Sequence, residues 1–505
     1  MKQRNSPPVV KRLAVLSSLG VNNRMLLCAT LSLLVFSLSC GSNSLNTVAL
    51  TGNFSNASLS GQYAYSLSGT AVVSGTTSSA PYSEAGVFTA DGNGHITSGT
   101  DDFAQSGNFG SNPITGTYSL RKDGTGNINL VFGNGGGSIQ FEVTLLNSSQ
   151  FYLIETDTFA TGGGSGEKQD TSAFSSAPSG TFVFRVHDSN ATSNVGAMSV
   201  TGGTISGSED VLPLAGSLSS PTLSGTVNAP SSNGRGTLTL TNSGGTTSNF
   251  AYYVVSANKF RLLQTDLGVL ALGSGEKQTA TTFSPASLTG SFAFGSDGDT
   301  VATGLGGVHS VGVFTADGSG TISSGNYDSV RDGSQTTNVG LTGIYTVSSP
   351  GRAALTLNLQ NGITIQNVLW MVSRSRAFFL VNDSSRVEDG TVDLQQGTSF
   401  SNSSLNGQFA FVMDGFDSQS LVDRTGTLQA DGNGNLNLNE VLNRAGTISL
   451  PGFLPGTYTV SANGRVAGSV TNLSSNLVFY MISGNSGYLL QNDPGTEIAG
   501  TMGHQ

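Results

Sequence analysis

The side chains in this chain that could carry chemistry are few, and their spacing is the first thing to weigh. Four histidines, His95, His187, His309 and His504, stand apart from one another. They form no H-E-x-x-H, no Cys-His cluster and no paired-His spacing of the kind a zinc site requires. The turns Asp91-Gly92-Asn93-Gly94, Asp317-Gly318-Ser319-Gly320, Asp431-Gly432-Asn433-Gly434 and Asp123-Gly124-Thr125-Gly126 offer the oxygens with which a calcium loop begins. The bidentate acid that closes such a loop does not follow, so they read as hairpin turns. Asp157, Asp266, Asp383 and Asp493 recur at strand ends, where an Asp accepts local backbone N–H groups. Gly164-Ser165-Gly166 and Gly273-Ser274-Gly275 lack the strand-to-helix setting of a nucleophile elbow, and Gly133 to Ser138 lacks the Gly-Lys-Ser/Thr of a phosphate loop. Tyr252, Tyr253 and Tyr488 could stack on sugars, but aromatics at period two in strands read as packing. The expectation is a protein without catalytic residues, metal or cofactor.

Charge narrows the partners. The 505 residues carry a formal net charge of −10, with charged residues only 10% of the chain. Five basic residues (Lys2, Arg4, Lys11, Arg12, Arg24) precede Cys40 and no acid does, leaving 16 bases against 31 acids beyond it. A surface of that sign, with no basic run, excludes nucleic acid as an expected partner.

Residues 25–39, M-L-L-C-A-T-L-S-L-L-V-F-S-L-S, are an apolar run after a basic stretch, too short for a comfortable membrane span. Ser39 and Cys40 follow, then a small, polar stretch. This end resembles the lipobox of bacterial lipoproteins, which implies lipidation of Cys40 as the mature N-terminus, anchoring to a membrane and, with Gly41 rather than Asp next, passage to the outer membrane. The other cysteine, Cys28, lies inside the apolar run, so no disulfide framework is expected.

The elements that hold any site in place are repeats. Gly-x-aromatic-x-aromatic occurs at Gly61–Tyr65, Gly180–Phe184, Gly290–Phe294 and Gly407–Phe411, spaced by 119, 110 and 117 residues. Gly86 to Gly94 returns at Gly312 to Gly320 and Gly426 to Gly434, with a degraded copy in repeat two. Gly116-Thr117-Tyr118 is echoed at Gly225, Gly343 and Gly456, and each unit closes on an apolar run ending in one of the four strand-end acids. Within a unit apolar residues alternate, as in Ile128, Leu130, Phe132, with Asp-Gly and Asn-Gly pairs between runs. The fold expected is all-β: four tandem repeats of about 110 residues, each a small antiparallel meander barrel closed to hide its edges. The units are architecturally similar to avidin-type or lipocalin-type barrels. An immunoglobulin-like sandwich is the second choice, weakened by the absence of a Cys-Trp-Cys pattern; Trp370 is the only tryptophan. The organisation reads as 1–40 signal peptide, 41–57 flexible tether, and repeats at 58–170, 171–283, 284–399 and 400–505.

These features suit a non-catalytic, lipid-anchored envelope protein with a surface-binding, adhesive or structural role, its partners the membrane and a glycan or envelope protein. The alternative is a carrier holding a small ligand or glycan in the barrel lumens. A membrane-spanning barrel is disfavoured because its strands need about 9 to 11 residues and the apolar runs are mostly shorter.

Overall fold

The computed structural model describes residues 52–505 apart from 73–78, 106, 159, 189–191, 302–305, 418–419 and 472–474. Cys40, the signal segment and the first part of the tether lie outside the described residues. Each repeat is a closed barrel of eight antiparallel strands in meander order, the eighth pairing with the first. The barrels span 60–168, 180–277, 289–394 and 406–504. One sheet closing on itself replaces the two stacked sheets of the immunoglobulin alternative.

Alternation explains the closure. In the first strand of barrel 1 (Ser60–Val72), Tyr63, Tyr65 and Leu67 point inward and meet Phe88, Phe141 and Phe151. The equivalent pairs Phe182/Phe184, Phe292/Phe294 and Phe409/Phe411 fill the other barrels. Eight strands enclose just enough room for such side chains. On the outer wall, where no other barrel packs, the residues between them are polar and exposed, as Thr115, Thr117 and Ser119 are. Strands run longer than the apolar pattern suggested: Ser60–Val72 has 13 residues and Thr447–Val460 has 14. Hairpin pairing satisfies the backbone well past the last buried side chain, through Ser, Thr and Gly that leave no hydropathy signal.

The Asp-Gly turns behave as hairpin chemistry. Asp91 accepts the backbone N–H groups of Asn93 at 2.7 Å and His95 at 3.0 Å, while Gly92 takes φ 80°, a left-handed conformation costly for other residues. Asp317 and Asp431 repeat the arrangement. A short 3-10 turn underlies the first, third and fourth barrels, at Asn56–Ser58, Pro285–Ser287 and Asn402–Ser404. The tyrosine of the mid-repeat landmark fastens it, Tyr118, Tyr345 and Tyr458 donating to the carbonyls of Leu59, Leu288 and Leu405.

The repeats pack on one another. The outer face of the first two strands of each barrel lies against strands six to eight of the next, and barrel 4 returns to barrel 1. Ala64, Ala85 and Val87 meet Ala251, Tyr253 and Leu263. Val183, Val195 and Leu212 meet Val368, Trp370 and Phe378. Ala293, Val311 and Val313 meet Val478, Tyr480 and Leu490, and Val412 and Val441 meet Ile154. Four head-to-tail contacts of one kind thus close into a ring with pseudo-four-fold symmetry. A glutamine ending each repeat is the latch: Gln169, Gln278 and Gln395 donate to the carbonyls of Val254, Met371 and Met481 in the following barrel. Gln505, the last residue, donates to Leu145 of barrel 1 at 2.6 Å.

Candidate functional site: a charged cavity inside a ring of barrels

Three of the four joints share one polar device. Asp102, Asp210 and Asp328, all fully buried, stand at matching positions on the third strand of barrels 1, 2 and 3. Each accepts an arginine and an aromatic donor from the next barrel. Asp210 takes Arg352 through two bonds of 2.8 and 2.7 Å and the Trp370 indole N–H at 2.7 Å. Asp328 takes Arg465 likewise and the Tyr480 hydroxyl at 2.6 Å. Asp102 takes Arg235 at 2.5 Å and the Tyr253 hydroxyl. The arginine opens strand five and the aromatic pairs with it across strand six, so the hairpin fixes both donors toward one carboxylate.

On the inner side of the ring, residues of all four barrels line a cavity of about 850 Å³. Four of the chain's few basic residues reach it: Arg185, Lys259, Arg261 and Arg376. None is unpaired. Glu167 meets Lys259 at 2.9 Å and Arg261 at 3.1 Å; burial raises its carboxyl, but these two cations outweigh burial and hold it at about 2. Arg376 meets Glu276 and Asp393, each at 2.8 Å. Asp389, fully buried, takes Arg185 at 2.8 Å and His187 at 2.7 Å. Burial disfavours a charge on His187, yet Asp389 and Asp299 outweigh it and raise the imidazole well above its ordinary value. Between the charged pairs the wall is hydroxyl- and amide-bearing, with Ser66, Ser68, Ser165, Asn147 and Gln150, and Tyr152 and Tyr488 bring aromatic surface. A cavity of this size with paired charges, hydroxyls and ring edges can hold a polar, near-neutral ligand by many hydrogen bonds.

The barrel lumens differ. Cavities of about 20 Å³ in barrel 3 and 10 Å³ in barrel 4 remain among the packed side chains, room for one water at most.

The residues singled out from sequence fall in several places. Asp266, Asp383 and Asp493 accept backbone N–H groups of Asn249, Ser385 and Asn476, as strand-end acceptors do. Asp157 lies beside Glu155. Tyr252 is core of barrel 2, whereas Tyr253 and Tyr488 are buried in joints. His95 sits on an exposed turn and His309 is buried, while His187 and His504 reach the cavity from different barrels. Among the described residues no group of three or more His, Cys, Asp or Glu could hold a metal ion. The joint triads escaped the sequence because each acid lies 133 to 160 residues from its partners, and the cavity because its lining comes from all four repeats. No known protein family matches the chain, and no curated protein does.

Proposed function

We propose that this chain is a non-catalytic envelope protein, exported and lipid-anchored through Cys40 at the outer membrane or cell surface, whose ring of barrels binds or braces a glycan or envelope protein. The observation that carries the reading is the contrast between the filled lumens of barrels 3 and 4 and one polar cavity built from all four repeats. Tandem copies here create a single composite site rather than four separate ones. The lumen-carrier alternative has less support, because the space within barrels 3 and 4 is too small for a metabolite. Two measurements test the parts separately. Growth on labelled palmitate should label the wild type and not Cys40→Ala, and equal label in both would end the anchor. Immobilised protein should retain envelope glycan fragments or envelope proteins, less well after Lys259→Ala with Arg376→Ala. Retention of nothing, or unchanged retention by that variant, would refute the cavity as the site.

A further inference from the structure

The joint between barrels 4 and 1 departs from the other three at every position that matters. Where those joints have Asp102, Asp210 or Asp328, this one has Val441. Thr125 replaces the arginine and Thr144 the aromatic. Asn443 stands where Ala104, Leu212 and Val330 are apolar, and Asp423 where Ser83, Ser193 and His309 stand. The shared apolar cluster among the described residues shrinks to Ile154, Val412 and Val441, with Tyr152 against it. What holds the joint is polar: Thr425 to Thr144 at 3.0 Å, and the Asn443 amide to the carbonyls of Glu155 and Ala160 at 2.7 and 2.8 Å.

One carboxyl group is buried in it without a cation. Asp423, on the outer face of barrel 4, is 5% exposed. The wall of barrel 1 is bare glycine where Asp414 and Asp423 approach: a Cβ on Gly163 would stand 3.2 Å from the Asp414 side chain and 3.4 Å from Asp423. Beside Asp423 lie Asp414 and Thr161, with Asp297 of barrel 3 beyond Asp414, while Glu155, which accepts the Tyr82 hydroxyl, faces the lumen of barrel 1 opposite Phe141. Nearby cations are engaged elsewhere, Arg121 with Glu142, Arg444 with Asp417 and Arg424 with Glu440 inside barrel 4. Desolvation first, then Asp414, raise the Asp423 carboxyl well above the carboxylate range. Separated barrels would return it to water, where it ionises near pH 4. The closed joint therefore holds a proton that the open one does not. Its stability is complete below about pH 4 and is lost as pH rises through the raised range of Asp423.

We propose that barrels 4 and 1 form a separable seam, shut while the buried Asp423 carboxyl is protonated and opened as it ionises, while the three triad joints stay closed. The inference rests on the joint's own geometry and not on what the cavity binds. The test uses the full chain with Cys28→Ser and Cys40→Ser and spin labels at exposed Gln140 and Leu450, one on each side of the seam. Double electron–electron resonance should give one short distance at pH 5 and a growing, longer population toward pH 9. A control pair at Thr342 and Ser469, flanking the joint between barrels 3 and 4, should not change. Asp423→Asn, similar in shape and unable to ionise, should hold the seam shut at pH 9, with circular dichroism confirming intact barrels. An unchanged wild-type distance, an equal shift in Asp423→Asn, or a matching shift in the control pair would overturn the proposal.

Discussion

Replacing Asp210 with alanine removes the centre of the joint between barrels 2 and 3. The carboxylate is fully buried and serves four bonds, two from Arg352, one from the Trp370 indole and one from Ser220 at 2.6 Å. Trp370 is 1% exposed, so its N–H has nowhere else to donate, and an unsatisfied buried donor costs about 1 to 3 kcal/mol. Arg352 differs: its side chain is 32% exposed. It can turn to water, so the pair contributes about 1 kcal/mol rather than the 3 to 5 of a sealed ion pair. Ser220 is partly exposed and adds little. The expected loss is about 2 to 4 kcal/mol. A double-mutant cycle with Trp370→Phe, read by urea unfolding of the full chain, isolates the indole bond. Phenylalanine keeps most of the ring and removes the donor, so Asp210→Ala should cost about 1 to 3 kcal/mol less in that background. Equal costs in both backgrounds would show that the carboxylate does not hold the indole, and the account of the triads would fail.

Two further outcomes follow from the packing. Phe292 is 1% exposed and stacks on Phe314 at 5.5 Å; Phe292→Ala should destabilise barrel 3 by about 3 to 5 kcal/mol, and a melt within a degree or two of wild type would mean that this ring is not core. Residues 284–399 expressed alone should show a β-type circular dichroism spectrum yet self-associate on size exclusion, because Trp370, Phe378, Val311 and Val313 lose their partners. A monodisperse monomer would show that the joints are weaker than their apolar content implies.

The barrel interiors were legible in the sequence because one buried face per strand produces alternation, and Phe292 and Phe294 with Ala293 between them are a clear instance. The joints were legible only in part. Strand six reads F-A-Y-Y-V-V at 250–255, V-L-W-M-V at 368–372 and L-V-F-Y-M-I at 477–482, continuous apolar runs that signal burial on both faces. That signal shows that a second surface covers the strand, without showing which. In barrel 1 the same strand is F-E-V-T-L-L, with Glu142 and Thr144 breaking the run. The weak joint was thus written in the sequence as an interrupted run. The cavity left no trace there, since Arg185, Lys259 and Arg376 acquire a common location only when the ring closes.

Ring closure also explains why one joint can differ so much. A head-to-tail contact repeated around four barrels closes only if all four joints form, but they do not carry equal burdens. Three are bridged by the chain and stapled by a triad, so barrels 4 and 1 are already brought together when they meet. Their contact is intramolecular, at an effective concentration set by the rest of the ring rather than by bulk. A joint formed under those conditions needs far less intrinsic affinity. Loss of the acid, the arginine and the aromatic together, at Val441, Thr125 and Thr144, is what relaxed demand on a single contact would produce. The same reasoning makes the substitution of Asp423 and Asn443 for uncharged and apolar partners consequential: where affinity is small, burying a carboxyl group without a cation turns a modest proton balance into control over whether the ring is shut.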